Sequence, residues 1–101
     1  MTVAKVIRYR TTPECAEENE RLIRQVFAEL AEQHPDGIRY AAFRLDDGVS
    51  FVHVALVDGE ENPLMKSAAF GEFSAGVKDR CAEGPIPADA TVVGSYRLPA
   101  G

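Results

Sequence analysis

Residues 37–57, GIRYAAFRLDDGVSFVHVALV, decide the fold. Two runs rich in β-branched and aromatic residues are hinged on Asp46-Asp47-Gly48, the pattern of a β-hairpin. Asp-Gly suits a two-residue type I′ turn, since both central residues need φ > 0. With Asp47-Gly48 as that loop, Arg44 pairs with Phe51, Ala42 with His53 and Tyr40 with Ala55. Side chains alternate across a strand, so Ile38, Tyr40, Ala42, Arg44, Phe51, His53, Ala55 and Val57 share one face. Arg39, Ala41, Phe43, Leu45, Ser50, Val52, Val54 and Leu56 share the other. Neither face carries the polar stripe of a sheet open to water, so both are expected to be covered.

Outward from the hairpin, the remaining elements follow. Residues 3–10, VAKVIRYR, read as a strand. Thr12 as N-cap, Pro13 at the first helical position and acids in the first turn predict a helix running to about residue 34. Its apolar positions, Cys15, Leu22, Ile23, Val26, Phe27, Leu30 and Ala31, recur three and four apart. His34-Pro35-Asp36-Gly37 stops it. Asn62 and Pro63 open a second helix expected over 63–82, with Leu64, Ala69, Phe70, Phe73 and Val77 in its apolar set. Glu83-Gly84-Pro85-Ile86-Pro87 reads as a loop, and residues 90–98, ATVVGSYRL, as the last strand. The order β-α-β-β-α-β predicts an α+β, ferredoxin-like fold: one domain over 1–101, a four-stranded antiparallel sheet and two helices on one face. Helices cover one side only. The oily second side needs a partner, and a second copy of the same sheet in a homodimer is the simplest one.

Composition narrows the partners. A net charge of −5 with scattered Lys and Arg lacks the footprint of a nucleic-acid binder. No apolar run approaches the ~20 residues of a membrane span, and the N-terminus lacks signal-peptide features. A cytoplasmic protein is expected. Cys15 and Cys81 match no metal-binding spacing and are expected to be free thiols. No metal or cofactor site is expected: Glu60 and Glu61 sit in a solvated loop, and the glycines form no phosphate cradle.

In Gly37, Tyr40, Phe43-Arg44, the Asp46-Asp47-Gly48 turn, Phe51, Ala69-Phe70 and Phe73, the chain resembles the dimeric α/β-barrel superfamily. The likeness is greatest to its antibiotic-biosynthesis-monooxygenase-like branch. The resemblance implies a homodimer whose sheets close into a barrel, with a pocket between sheet and helices. It also implies relatives that include cofactor-independent oxygenases of polyphenols, isomerases and proteins without known activity. It stops short of the heme-degrading members, since the chain has no Trp and neither His34 nor His53 falls on the second helix.

His53 is the leading candidate for chemistry. It is mid-strand and shares its face with Tyr40 and Arg44. Beside a cavity, a neutral imidazole there would act as general base on a phenol or enol, with Arg44 steadying the oxyanion. In a packed core it would be a hydrogen-bonded histidine without chemistry, the commoner role. Tyr9, Tyr40, Phe51, Phe70 and Phe73 are the candidate substrate-binding residues, or else ordinary core. Arg8 and Arg10 would bind an anion or pair with acids across the dimer seam. Two functions stay open. One is a cofactor-independent monooxygenase or isomerase acting on an aromatic or polyphenolic small molecule. The other is a dimeric module that binds a small apolar or aromatic ligand, or a partner, without turnover.

Overall fold

The computed structural model describes residues 2–59 and 61–96. Its main elements are strand β1 (Thr2–Thr11), helix α1 (Ala16–Gln33), strands β2 (Ile38–Arg44) and β3 (Ser50–Asp58), helix α2 (Ala68–Arg80) and strand β4 (Cys81–Ala90). The strands form one antiparallel sheet in the order β2-β3-β1-β4. This is the ferredoxin-like plan, with β1 and β3 at the centre because each crossover helix carries the chain past a neighbouring strand.

The hairpin has the expected register: Arg44 opposite Phe51, Ala42 opposite His53, Tyr40 opposite Ala55. Its turn is different. Leu45 N–H donates to Ser50 O at 2.8 Å and Gly48 N–H to Leu45 O at 3.0 Å, so residues 46–49 form a four-residue loop. Gly48 sits at φ +81°, whereas Asp47 keeps a negative φ, which rules out type I′. Asp47 is used otherwise: its Oδ1 accepts from the N–H groups of Val49 and Ser50, an Asx-type closure. Adding one residue to each side of the loop leaves the facing unchanged, so the pairing survives the change of turn.

Both helices are preceded by a short 3-10 turn, over Pro13–Cys15 and Pro63–Lys66. Thr12 makes no side-chain cap; its carbonyl accepts from Cys15 N–H instead. Asn62 caps the second turn as expected, its Oδ1 accepting from Leu64 N–H. The helix expected over 63–82 is broken at Ser67, whose hydroxyl accepts from Phe70 N–H and restarts the chain as α2. His34 ends α1 in the left-handed region, at φ 50°, and is exposed. Both cysteines are free.

The last strand is the main correction. It runs over Cys81–Ala90 and pairs Ala4 with Ala90, Val6 with Ala88 and Arg8 with Ile86. The segment read as a loop is therefore the strand. Two prolines argue against a central strand, but β4 is an edge and bonds along one side only, where proline is tolerated. Residues 91–96, read as part of the strand, lie outside any element, with Val93 fully exposed; 97 and 98 lie outside the described residues. Strand propensity reflects fit to a half-buried pleated surface, and β1 already has both edges filled. Gly84 makes the bulge at this seam possible. At φ +86°, an added Cβ would lie 3.0 Å from both Arg8 O and Tyr9 Cβ. Gly84→Ala is therefore expected to cost about 2 kcal/mol, read as a lowered urea midpoint with unchanged slope.

The sheet has two unlike sides. Phe51, His53, Ala55 and Val57 face the helices and are buried. Tyr9, Phe51, Leu22, Ile23, Val26, Leu64 and Phe73 form the core between sheet and helices. On the outer side Phe43 and Leu45 are about half exposed, at 53% and 45%, as is Ile86. Val6, Val52, Val54 and Leu56 beside them are half-buried. Within one chain this second side has no cover. Arg10 pairs with Glu83 and Lys5 with Asp89, both across the β1–β4 seam. Arg10 thus has an acid within its own chain.

Candidate functional site

The register that faces His53 toward the helices also determines its neighbours. Tyr9 stands on β1 and Tyr40 on β2, and both phenols reach the imidazole between them. Tyr9 Oη lies 2.8 Å from His53 Nε2, and Tyr40 Oη lies 2.6 Å from Nδ1. Beyond Tyr9 the network continues to both helices. Asn19 of α1 donates its Nδ2 to Tyr9 Oη at 2.8 Å. Arg80, the last residue of α2, donates Nε to Asn19 Oδ1 at 2.9 Å and Nη2 to Phe73 O at 2.8 Å. Five side chains from β1, β2, β3, α1 and α2 thus form one hydrogen-bonded string through the core. Asn19 is fully buried, and His53, Tyr9 and Arg80 are nearly so. No buried side-chain N or O among the described residues lacks a partner, as a native core requires.

Burial sets the electrostatics. It lowers the His53 pKa to about 4, because an imidazolium could not be hydrated there. The imidazole is therefore neutral at pH 7. Burial likewise pushes both phenols above their ordinary value, with the Asn19 hydrogen bond opposing this at Tyr9. Arg80 is a buried cation that donates to the neutral Asn19 and to a carbonyl and lies over the face of Phe73, 5.1 Å from the ring centroid; the Glu18 carboxyl also feels its charge. Rings close the cluster: Tyr9 stacks on Phe51, Tyr40 on Phe27 at 4.9 Å, and His53 lies 5.4 Å from Phe73.

Arg44 does not join this string. Its guanidinium pairs with Glu17 and Glu20 of α1, each at 3.0 Å, and donates Nε to Gly48 O. Those carboxylates neutralise it, and it in turn holds the Glu20 carboxyl below its usual range. Its work is to tie the hairpin loop to α1. The pair frames a groove of about 750 Å³ between α1 and β2, lined among others by Ile23, Phe27, Tyr40, Arg44 and Phe51. A second, more apolar hollow of about 630 Å³ continues around the β2 edge to Val54 and Leu56. Tyr40 and Phe27 line both.

Of the residues singled out from the sequence, His53, Tyr9 and Tyr40 are brought together, and Tyr40 and Phe51 line the groove. Phe73 is core against His53, and Phe70 is half-buried against Phe73. His53 itself is sealed, at 4% exposure. Asn19 and Arg80 are the participants that sequence reasoning missed. A signal existed for Asn19: it falls at i−3, i−4 and i−7 from Leu22, Ile23 and Val26, inside the apolar stripe. Nothing comparable marks Arg80. Among the described residues no three His, Cys, Asp or Glu side chains gather to hold a metal ion. No helix among them is long and apolar enough to cross a membrane.

No family model and no curated protein matches this sequence. Solved structures do match it in shape. Rv0793 from Mycobacterium tuberculosis superposes with TM-score 0.74 at 16% identity, over 94% of this chain and 98% of that one. A candidate antibiotic biosynthesis monooxygenase from Nitrosomonas europaea gives 0.74 at 13% identity, over 91% and 90%. A variant of SnoaB, a cofactor-independent oxygenase from Streptomyces nogalater, gives 0.66 at 17% identity, over 96% and 98%. The chain therefore has the ferredoxin-like fold of antibiotic-biosynthesis-monooxygenase-like proteins along nearly its whole length. A shared fold by itself transfers no activity.

Proposed function

We propose that the protein is a small cofactor-independent oxygenase that receives an aromatic or polyphenolic molecule in the groove between α1 and β2. The observation that carries this reading is the Tyr9–His53–Tyr40 string, which runs from the sealed core to a residue of the groove. A flat ring fits against the stacked Phe27–Tyr40 pair. Tyr40 is the residue that touches the ligand; His53, sealed in the core, takes no proton and only holds the Tyr40 hydroxyl in place. A phenol or enol held as its anion is rich enough in electrons to react with dioxygen. One oxygen atom would become a ring carbonyl; the other would leave as water with the one hydrogen of that carbon and the proton given up by the hydroxyl. The test is a screen of phenols and quinones by melting shift, then by oxygen uptake. Uptake at one dioxygen per carbonyl formed, abolished in Tyr40→Phe, is the expected result.

A second reading has its own support. His53 is neutral with both nitrogens bonded, and the Arg44 charge is cancelled by two carboxylates. A site so satisfied suits a ligand-binding module without turnover. Melting shifts without oxygen uptake across the whole screen would favour it and overturn the oxygenase reading.

We propose further that the outer side of the sheet is covered by a second copy in a homodimer, in the cytoplasm. Exposed Phe43, Leu45 and Ile86 support the pairing of the two sheets, with Val52, Val54 and Leu56 between them. Sedimentation is expected to show twice the 11.0 kDa chain mass, and Val54→Arg to give the single chain. A single-chain mass for the unaltered protein at working concentration would overturn it.

A further inference from the structure

The direction of donation along the buried string can be read from its far end. An arginine has donors and no acceptor, so the Asn19 atom facing Arg80 is its oxygen. Asn19 therefore turns its amide nitrogen to Tyr9 and donates to that phenol. The Tyr9 hydroxyl hydrogen, in a residue only 5% exposed, is left with one acceptor, His53 Nε2. A neutral imidazole has one N–H and one accepting nitrogen. With Nε2 accepting, the hydrogen sits on Nδ1 and is donated to Tyr40 Oη. The Tyr40 hydroxyl hydrogen is then the one in the string with no acceptor among the described residues. Tyr40 is half-buried and lines the groove. Run the other way, the string would leave its unbonded hydrogen on Tyr9, deep in the core, where such a loss costs about 1–3 kcal/mol.

We infer that Arg80, through Asn19, Tyr9 and His53, presets Tyr40 as a hydrogen-bond donor, so that the groove selects ring compounds placing a carbonyl-type acceptor beside it. This rests on the groove being the ligand site proposed above. Arg80 is a positioning residue and Tyr40 the specificity residue. A ketone or quinone oxygen is met by an O–H already turned toward it. A ring of the same shape without an acceptor leaves that hydrogen unbonded.

Two measurements test this separately. The first needs no ligand: nitrogen-15 spectra of labelled histidine in the whole protein. His53 is expected as the Nδ1–H form, retained in Arg80→Lys, which also only donates, and mixed with the Nε2–H form in Arg80→Leu. An Nε2–H form in the unaltered protein overturns the direction. The second compares 9-fluorenone with fluorene, equal in shape but differing in the carbonyl. Fluorenone is expected to bind roughly tenfold tighter, the worth of one neutral hydrogen bond. Tyr40→Phe should bring the two together. Equal affinities in the unaltered protein overturn the selectivity. Binding of neither compound overturns the groove as the ligand site, whatever the tautomer.

Discussion

Asn19→Leu is expected to lower unfolding stability by about 3 kcal/mol or more, although the replacement is apolar and close in volume. Asn19 is fully buried and holds both ends of a string, accepting from Arg80 and donating to Tyr9. Leucine can do neither. The guanidinium would lose an acceptor and the Tyr9 phenol a donor while both remain buried, and each such loss costs about 1–3 kcal/mol, more for the charged group. Asn19→Asp makes the contrast. A carboxylate beside Arg80 would pair with it but would have no hydrogen for Tyr9. Its cost is expected to be smaller. Urea denaturation of the three proteins checks the order, and equal stability of Asn19→Leu and the unaltered protein would show that the string carries no net energy.

The second large effect is in acid. The His53 pKa falls from 6.5 unfolded to about 4 folded, and the cause is burial. Between these values the unfolded chain binds a proton at His53 that the folded chain refuses. Stability therefore rises with pH across this window and is lost as pH falls from 6.5 toward 4. The full loss from this one group is about 3 kcal/mol, since each unit of pKa difference is worth about 1.4. Above pH 7 both states are neutral there and the group contributes no slope. Urea midpoints from pH 7.5 to 4 are expected to fall through this range, and the fall should flatten in His53→Gln. A slope unchanged by that substitution would place the acid sensitivity elsewhere. The carboxyls of Glu20, Glu29 and Asp47, lowered by their hydrogen bonds, act in a more acidic window.

Two features of the site explain why it was only half legible. His53 and Tyr40 were visible as neighbours because the period of two places them on one face once the hairpin register is known; Tyr9, on the first strand, was visible only as a candidate pocket residue. That they meet at a single imidazole depends on β1 lying beside β3, which puts Ile7 opposite His53 and leaves Tyr9 near enough to bond it diagonally. Arg44 read as a partner of His53 on the same face, yet the acids of α1 claimed it. A face assignment says which way a long side chain leaves the sheet, not where its charged end settles.

The hairpin, its register, the first helix, the presence of a second and the oily outer side of the sheet were determined by sequence alone. Each depends on local chemistry or on periodicity: turn-forming residues between the runs, proline at the helix starts, and apolar positions repeating every two or every three to four residues. The last strand and the far half of the polar string were decided by tertiary structure. Cys81–Ala90 is a strand because the end of α2 delivers it to the open edge of β1, despite two prolines. Arg80 is buried because that same helix end faces Asn19 across the core. Neither fact has a local signature. Edge pairing and the satisfaction of a buried charge are settled only when distant segments meet, and there the need to bond every buried donor outweighs local preference.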